Sequence, residues 1–326
     1  MKIFKPVSEK DFNEITDRFT EGALGILPTE TVYGLAAVAD NLGAVKRLYW
    51  VKNRPVDHPS IVHIGSKELL NFWAVDIPNF ARDLIEVFWP GPLTLIFQKS
   101  PKVNSFITSG QTSIAIRYSN NPTLVKIQDN LTSKGFHGLV VPSANIFGKV
   151  SPTLIQNLDQ ELLKRLNVNL DFIVDDGPAI VGIESTIVDC RTNVPVMLRR
   201  GVITKSHISD VTGLAIKDLK SNSNLSIKFS GSHPRHYVPN KPVVLNQRIK
   251  SKDGVIALSN IEIPSEVVRI ASPATYMEFA AKLYALFVKA DHLPVERINV
   301  IIESDTDEIA LAILDRVIRA SDNVGE

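Results

Sequence analysis

The chain has 326 residues, 44% hydrophobic and 22% charged, with 36 basic against 35 acidic side chains and a formal net charge of +1. That length suggests about two domains, and the apolar content suffices for a core without staples. The even charge balance excludes a protein that coats nucleic acid by bulk charge, while leaving room for a local basic pocket. A single cysteine, Cys190, excludes an intrachain disulfide and a cysteine-built zinc site. Set in the apolar run STIVDC, it reads as a packed small hydrophobe. No apolar stretch follows the lysines of MKIFKPVSEKDF, so no signal peptide is expected, and no segment approaches the ~20 apolar residues of a membrane span. A cytoplasmic protein without a membrane segment is expected.

In chain order, Ser8 followed by Asp11 has the spacing of a capping box and opens a helix through Phe19. Ala23–Pro28 reads as a short buried strand, Leu42–Val51 as a helix, and Ser60–Ile64 as a strand. Pro78–Phe88 is a helix with proline near its start. Leu93–Phe97, Ser113–Tyr118 and Gly138–Val141 are strands, Thr153–Leu166 is a helix, and Phe172–Val174, Ser185–Asp189 and Val196–Leu198 are strands again. This mixture predicts an α/β domain over residues 1–213. Residues 214–242, rich in Ser, Asn, Lys and Pro, carry a linker signature. A second α/β pattern occupies 243–326: strands at Gly254–Leu258, Val267–Ile270 and Ile298–Ile302, and helices at Tyr276–Ala290 and Glu308–Ala320. It predicts a small Rossmann-like domain.

The sequence contains no G-x-x-x-x-G-K-[ST], no G-x-G-x-x-G after a strand, no H-E-x-x-H and no G-x-S-x-G. Any nucleotide chemistry therefore uses another device. Four polar clusters interrupt apolar segments. The first, Pro28–Leu35 (PTETVYGL), follows a buried strand, where α/β sheets place ligands. The second holds Lys52, Arg54 and His58. Pro55 disfavours helix at Arg54, so the stretch is expected to be extended, with Lys52 and Arg54 on one side as point charge and planar fork for a polyphosphate. Taken alone, such a pair is more often solvated surface charge. The third, Ser143 and Asn145 in PSAN, follows the strand GLVV and by itself reads as a turn. The fourth is Gly182–Thr186 (GIEST), whose hydroxyls cap a strand or hold a substrate.

Together the clusters resemble the threonylcarbamoyl-AMP synthase, or YrdC-like, family. The resemblance runs through Pro28–Ile64, FWPGPLTLIF, SIAIRYSNNP, VPSANIFGKVSPT, GIESTIVD and LRRGVIT, and continues through PRHYVP and LDRVIRASDN into the family's long, two-domain branch. It implies a YrdC-like twisted mixed sheet with helices, joined by an ordered linker to a smaller Rossmann-like domain. It implies that Lys52, Arg54, Ser143 and Asn145 bind ATP, with His58, Ser113, Ser151 and Arg199 as further nucleotide contacts. It implies that Thr31, His63, Arg117 and Ser185 hold L-threonine, and that Arg235, His236 and Tyr237 belong to a lid over the active site and bind ATP. An arginine inside the apolar strand SIAIR needs a partner, either a substrate carboxylate or a structural ion pair.

The implied reaction joins L-threonine and bicarbonate into a carbamate, whose oxygen attacks the α-phosphorus of ATP and expels pyrophosphate. The product serves threonylcarbamoyladenosine modification of tRNA next to the anticodon, through a downstream transferase and with at most weak tRNA contact. Lys52 and Arg54 would supply the electrostatic catalysis. Magnesium is expected on the phosphates with few protein ligands, and Glu30 is a candidate outer-shell carboxylate or a loop cap. No general base stands out. Phe147, Asp176, Arg200 and Pro234 depart from the family pattern. Competing readings are a non-enzymatic RNA- or nucleotide-binding module of the same fold, a carbamoyl-transfer domain of a hydrogenase-maturation protein, which the lone cysteine disfavours, and a synthase acting on another amino acid.

Overall fold

The computed structural model describes residues 1–5, 8–218 and 228–321. Positions 219–227 of the expected linker and the last five residues of the expected C-terminal domain lie outside the described residues. Among the described residues, twelve strands form one mixed sheet, and four more form a separate parallel sheet.

The large sheet runs in the order Lys2–Phe4, Phe172–Val174, Gly25–Leu27, Gly34–Val38, Leu139–Val140, Val62–His63, Ser113–Arg117, Leu93–Lys99, Thr186–Asp189, Val196–Arg199 and Lys217–Asp218, with Ala74–Val75 pairing beside Leu93–Lys99. Pairs of both polarities occur across it: Gly25–Leu27 and Gly34–Val38 are antiparallel, while Val62–His63 runs parallel to Ser113–Arg117. The strand Gly34–Val38 was not expected. Pro28–Tyr33 is therefore the loop of a hairpin rather than a strand-to-helix connection. Gly34 allows this geometry, because a Cβ there would lie 2.3 Å from Val141 Cγ1.

Helix Leu42–Val51 forms as read, capped by the Asn41 side chain accepting from Ala44 N. Two helix readings need correction. Ser8 is the N-cap of Glu9–Thr20, but its hydroxyl donates to the Asp11 carboxylate at 2.8 Å and accepts no backbone amide, so the capping box does not form. Thr153–Leu166 is not one helix. A short 3-10 turn at Ile155–Asn157 is followed by Leu158 in extended backbone, and Asp159 then caps a new helix, Gln160–Lys164, by accepting from Glu161 N at 2.8 Å. The aspartate side chain competes with the backbone for that amide and restarts the chain there. Helix Pro122–Ser133 was missed, although its signals are local: Asn121 as N-cap and proline in the first turn. Helix Lys205–Thr212 was missed too.

The second sheet is wholly parallel, in the order Val243–Leu245, Arg297–Val300, Asp253–Ile256, Val268–Ala271, with helices Tyr276–Asp291 and Glu308–Ala320 packed on it. Its apolar core takes in Val32, Ile183 and Tyr237, which come from the hairpin loop, the GIEST loop and the linker. Gly182, at φ 77°, makes this possible: a Cβ there would stand 2.3 Å from the Ala281 carbonyl oxygen of the long helix. The same junction holds a buried polar hub. Glu184 accepts from Ser151 Oγ at 2.8 Å, Tyr284 Oη at 2.8 Å and Arg316 Nε at 3.2 Å. Arg316, 0% exposed, also donates to the Arg200 carbonyl at 2.6 Å. Burial pushes the Glu184 carboxyl up. The charges of Arg316 and Arg199, with the Tyr284 and Ser151 hydrogen bonds, outweigh it and hold the carboxyl below its ordinary value.

Removing one partner of a buried charged pair leaves the other uncompensated. Arg316→Met is thus expected to destabilise the protein by about 3–5 kcal/mol at pH 7, read as a lowered unfolding midpoint. The pH dependence has a definite sign. A carboxyl depressed on folding stabilises fully above its unfolded value of 4.5 and loses that contribution as pH falls through its folded value. The wild-type midpoint should therefore drop below about pH 4.5, and Arg316→Met should flatten that drop. An unchanged acid limb in the variant would remove Glu184 as its source.

Candidate active site

The hairpin loop is organised by one hydroxyl. Thr29 Oγ1 accepts from Thr31 N at 3.1 Å and Val32 N at 3.2 Å and donates to the Val32 carbonyl at 2.6 Å. This local turn presents Thr31 and Glu30 to the strand Ser113–Arg117. Arg117 Nη1 donates to Thr31 Oγ1 at 2.9 Å, and Nη2 lies 2.7 Å from Glu30 Oε1. Glu30 also accepts from the Ser119 hydroxyl and, at 3.4 Å, from Asn120 N. Burial raises the Glu30 carboxyl, but Arg117 and these bonds outweigh it and hold it below its ordinary value. Glu30 is thus the structural partner of Arg117. Nη1 is hydrogen-bonded and Nη2 is ion-paired within the protein, but Nη2 makes no well-aligned hydrogen bond and Nε is buried without a partner.

His63 is the register partner of Arg117 on the neighbouring parallel strand. It is 1% exposed, and its Nδ1 is buried and unpartnered. Burial, reinforced by the Arg117 charge, pushes the imidazole well below its ordinary value, so it is neutral at pH 7.

Lys52 and Arg54 are not on an extended segment. Helix Leu42–Val51 ends at Lys52, Asn53 takes the left-handed conformation at φ 52°, and the turn closes with Asn53 N to Trp50 O at 3.1 Å and Arg54 N to Tyr49 O at 2.9 Å. This double closure is a Schellman motif, with asparagine where glycine is usual. The turn satisfies the last carbonyls of the helix and sends both cations inward. Lys52 Nζ donates to the carbonyls of Ser143 and Asn145, and burial pushes its pKa well down, with help from Arg54. Arg54 Nε and Nη2 donate to the carbonyls of His58 at 2.9 Å and Pro59 at 2.8 Å. The Asn145 side chain secures its own loop by donating to the carbonyls of Ile146 at 2.8 Å and Lys149 at 2.9 Å, leaving Oδ1 buried and unpartnered. His58 is half-buried, and desolvation followed by the Arg54 charge lowers its pKa.

On the far wall, Arg199 donates three times: Nε to the Ser185 carbonyl at 3.0 Å, Nη2 to Ser185 Oγ at 3.1 Å and Nη1 to the Ser230 carbonyl at 3.0 Å. Ser185 Oγ is also 2.7 Å from Thr94 Oγ1. Residues 228–242 lie over the site as a strap. It begins where the Gln111 side-chain amide bonds both to the Lys228 carbonyl at 2.9 Å and to Lys228 N at 3.0 Å. Phe229 then plugs into Ile61, Ile96, Ile187 and Leu198. His236 N donates to the Arg319 carbonyl at 3.0 Å, tying the strap to the last helix. Burial lowers His236 to about 3. Tyr237 sits at φ 66°, stacks on Tyr284 at 5.4 Å, and keeps its buried hydroxyl unpartnered and raised to about 12.

One small cavity, of about 40 Å3, is lined by Thr31, Arg54, His63, Arg117, Ser143 and Arg199, and by Ser230, Gly231, His236 and Tyr237 of the strap. Not every expected site residue reaches it. Lys52 and Asn145 stand behind the Ser143 loop, and Ser185 stands behind Arg199. Ser151 is bound to Glu184 instead. Ser113 lines a neighbouring crevice under Lys228 and Phe229. Arg235 is exposed, and its carbonyl accepts from His233 Nδ1 at 2.7 Å. Sequence reasoning missed Glu184 as a wall residue. Its signal was a lone acid opening an apolar strand, which must find a cation. Ser230 and Gly231 carried no such signal. Of the departures, Asp176 accepts from Asn121 Nδ2 at 3.2 Å, Arg200 pairs with Asp218 at 3.1 Å, and Pro234 is exposed on the strap. None of these three lines the cavity.

The chain is similar to known proteins in sequence and fold. The family model described as "Telomere recombination" (Sua5/YciO/YrdC) matches residues 17–201, and one described as "Threonylcarbamoyl-AMP synthase, C-terminal domain" matches 203–322. The chain is 37% identical over 234 residues to the threonylcarbamoyl-AMP synthase of Pyrococcus abyssi, a match spanning 71% of this chain and 66% of that protein. It is 37% identical over 227 residues to the Bacillus subtilis threonylcarbamoyl-AMP synthase, spanning 69% of this chain and 63% of that one. Both matches fall just short of two thirds of the relative's length. The crystal structure of P. abyssi Sua5 complexed with L-threonine superposes with a TM-score of 0.85 at 30% identity, covering 98% of both chains. The chain belongs to the Sua5/YciO/YrdC family, in the two-domain form that carries the Sua5 C-terminal domain.

Proposed function

We propose that this chain is an L-threonylcarbamoyladenylate synthase, a nucleotidyltransferase that makes threonylcarbamoyl-AMP and pyrophosphate from L-threonine, bicarbonate and ATP. The observation that carries the reading is the convergence of Arg54 and Ser143 with Thr31, His63 and Arg117 on one small cavity. The names of its relatives and the L-threonine complex of the P. abyssi protein support it. On this reading the product goes on to a tRNA threonylcarbamoyl-transferase, and both enzymes work in the cytoplasm.

Roles follow from what each side chain has left to give. Lys52 spends two of its three protons on the Ser143 and Asn145 carbonyls, leaving one for a phosphate oxygen. Arg54 keeps Nη1 after Nε and Nη2 bind carbonyls. Thr31 and the neutral His63 orient threonine, whose carboxylate shares the Arg117 guanidinium with Glu30, and Ser185 acts behind them by holding Arg199. These groups are held before substrate arrives, so they stabilise charge developing on phosphate without reorganising. On this reading magnesium enters on the phosphates of ATP as part of the substrate.

A cavity of about 40 Å3 is far below the several hundred that a nucleotide needs. Entry requires the strap to lift, and its return excludes water from a carbamate and a mixed anhydride that both hydrolyse.

Pyrophosphate release from MgATP and bicarbonate should depend on L-threonine and fall at least ~100-fold in Lys52→Ala/Arg54→Ala. Release indifferent to threonine, or equal in the variant, would sink the reading. Salt-dependent RNA binding with no ATP turnover would then favour the binding-module alternative. His236→Ala/Tyr237→Ala should speed escape of threonylcarbamoyl-AMP and also lower the thermal midpoint, because Tyr237 is buried in the C-terminal core; unchanged escape from the folded variant would refute the strap's role. His236 is neutral under the strap and titrates near its ordinary 6.5 when exposed. The closed state is thus favoured above that pH and weakens as pH falls through it, so escape should accelerate in acid, less steeply in His236→Ala.

A further inference from the structure

We propose that Phe147, one of the departures from the family pattern, is a positioning residue that fixes Arg54 and seats the strap against it. This rests on the assignment of Arg54 to the nucleotide. Phe147 N donates to the Lys52 carbonyl at 2.9 Å, which pins its loop to the helix end carrying both cations. The Arg54 Cζ lies 5.5 Å from the Phe147 ring centroid and 5.9 Å from that of Tyr49. Tyr49 is itself fixed, donating to the His58 carbonyl at 3.2 Å and accepting from Ser60 Oγ at 3.2 Å. Two rings and two carbonyls thus define the plane of the Arg54 fork. A long, flexible side chain held this way loses less entropy when it meets a phosphate.

The same phenyl ring is a hub. His58 meets it at 5.4 Å, and the strap's His233 and His236 meet it at 5.6 and 5.8 Å, all edge-on. A small polar residue at this position would leave Arg54 with Tyr49 alone and would take away the surface on which the two strap imidazoles rest. Phe147 therefore couples the phosphate-facing guanidinium to the lid.

The test is MgATP affinity of the full-length protein by titration calorimetry. Phe147→Ser and Phe147→Leu, which remove the ring with and without its bulk, should each weaken binding by about 3- to 30-fold, the range of a partly buried cation–π contact. Phe147→Tyr, which keeps the ring, should bind as wild type does and so separates positioning from loss of fold. Arg54→Lys should weaken binding by itself, and adding Phe147→Ser to it should cost little more, because the planar fork the ring holds is already gone. Equal affinity in Phe147→Leu and wild type, or full additivity with Arg54→Lys, would overturn the proposal. Arg54→Lys binding as wild type would overturn the nucleotide assignment of Arg54, and the role of Phe147 with it.

Discussion

The structure depends most on a buried carboxylate shared between domains. Glu184 stands at the mouth of a strand of the large sheet, yet two of its three side-chain donors, Tyr284 and Arg316, come from helices of the C-terminal domain. An isolated carboxylate at 8% exposure would not stay ionised, and an arginine at 0% exposure would be costlier still. Each group is tolerable only because the other domain is docked. The contact therefore sets the relative placement of the domains more than it adds net stability. It does so next to the cavity, since Glu184 and Arg199 both line its wall.

That placement matters because the cavity concentrates charge that the chain as a whole does not show. Arg54, Arg117 and Arg199 face it, Lys52 sits just behind it, and the carboxylates nearby are Glu30 and Glu184. Glu30 is consumed by Arg117, and Glu184 by Arg316. Within a chain of net charge +1, the result is a small region of positive potential in low dielectric. Such a region suits the polyphosphate of the proposed function, whose negative charge would offset the burial that depresses Lys52 and Arg54. The domains and strap hold these cations together against their mutual repulsion.

Which of this could be read from the sequence follows from how local each signal is. Leu42–Val51 and Glu308–Ala320 appeared at their observed bounds, because an apolar periodicity and an N-cap residue suffice to define them. Helix Pro122–Ser133 carried equally local signals at Asn121 and Pro122, so missing it was an oversight of reading. Thr153–Leu166 misled because its apolar spacing is helical while Asp159 restarts the backbone within it. The site clusters were identifiable by residue type and order, but their geometry was not. Pro55 suggested an extended Lys52–Arg54, whereas the Asn53 turn is fixed by hydrogen bonds back to Trp50 and Tyr49. Arg117 was expected to need a partner, but nothing local connects residue 117 with Glu30 across 87 positions. The Glu184–Arg316 pairing, 132 residues apart, is further still beyond any short-range pattern.

Tyr237 draws the two domains and the chemistry together. A non-glycine residue at φ 66° costs of order 1 kcal/mol or more, and its buried hydroxyl forgoes a hydrogen bond, so its position is held from outside. The holding groups belong to the C-terminal domain: the Tyr284 ring beneath it, the Arg316 guanidinium 5.9 Å from its ring, and the Arg319 carbonyl that binds the preceding His236 amide. Strain held in place by a neighbouring domain lowers the cost of releasing the segment, which is what the proposed opening of the strap requires. The C-terminal domain contributes no residue to the cavity wall, and its link to the site is the strap it braces.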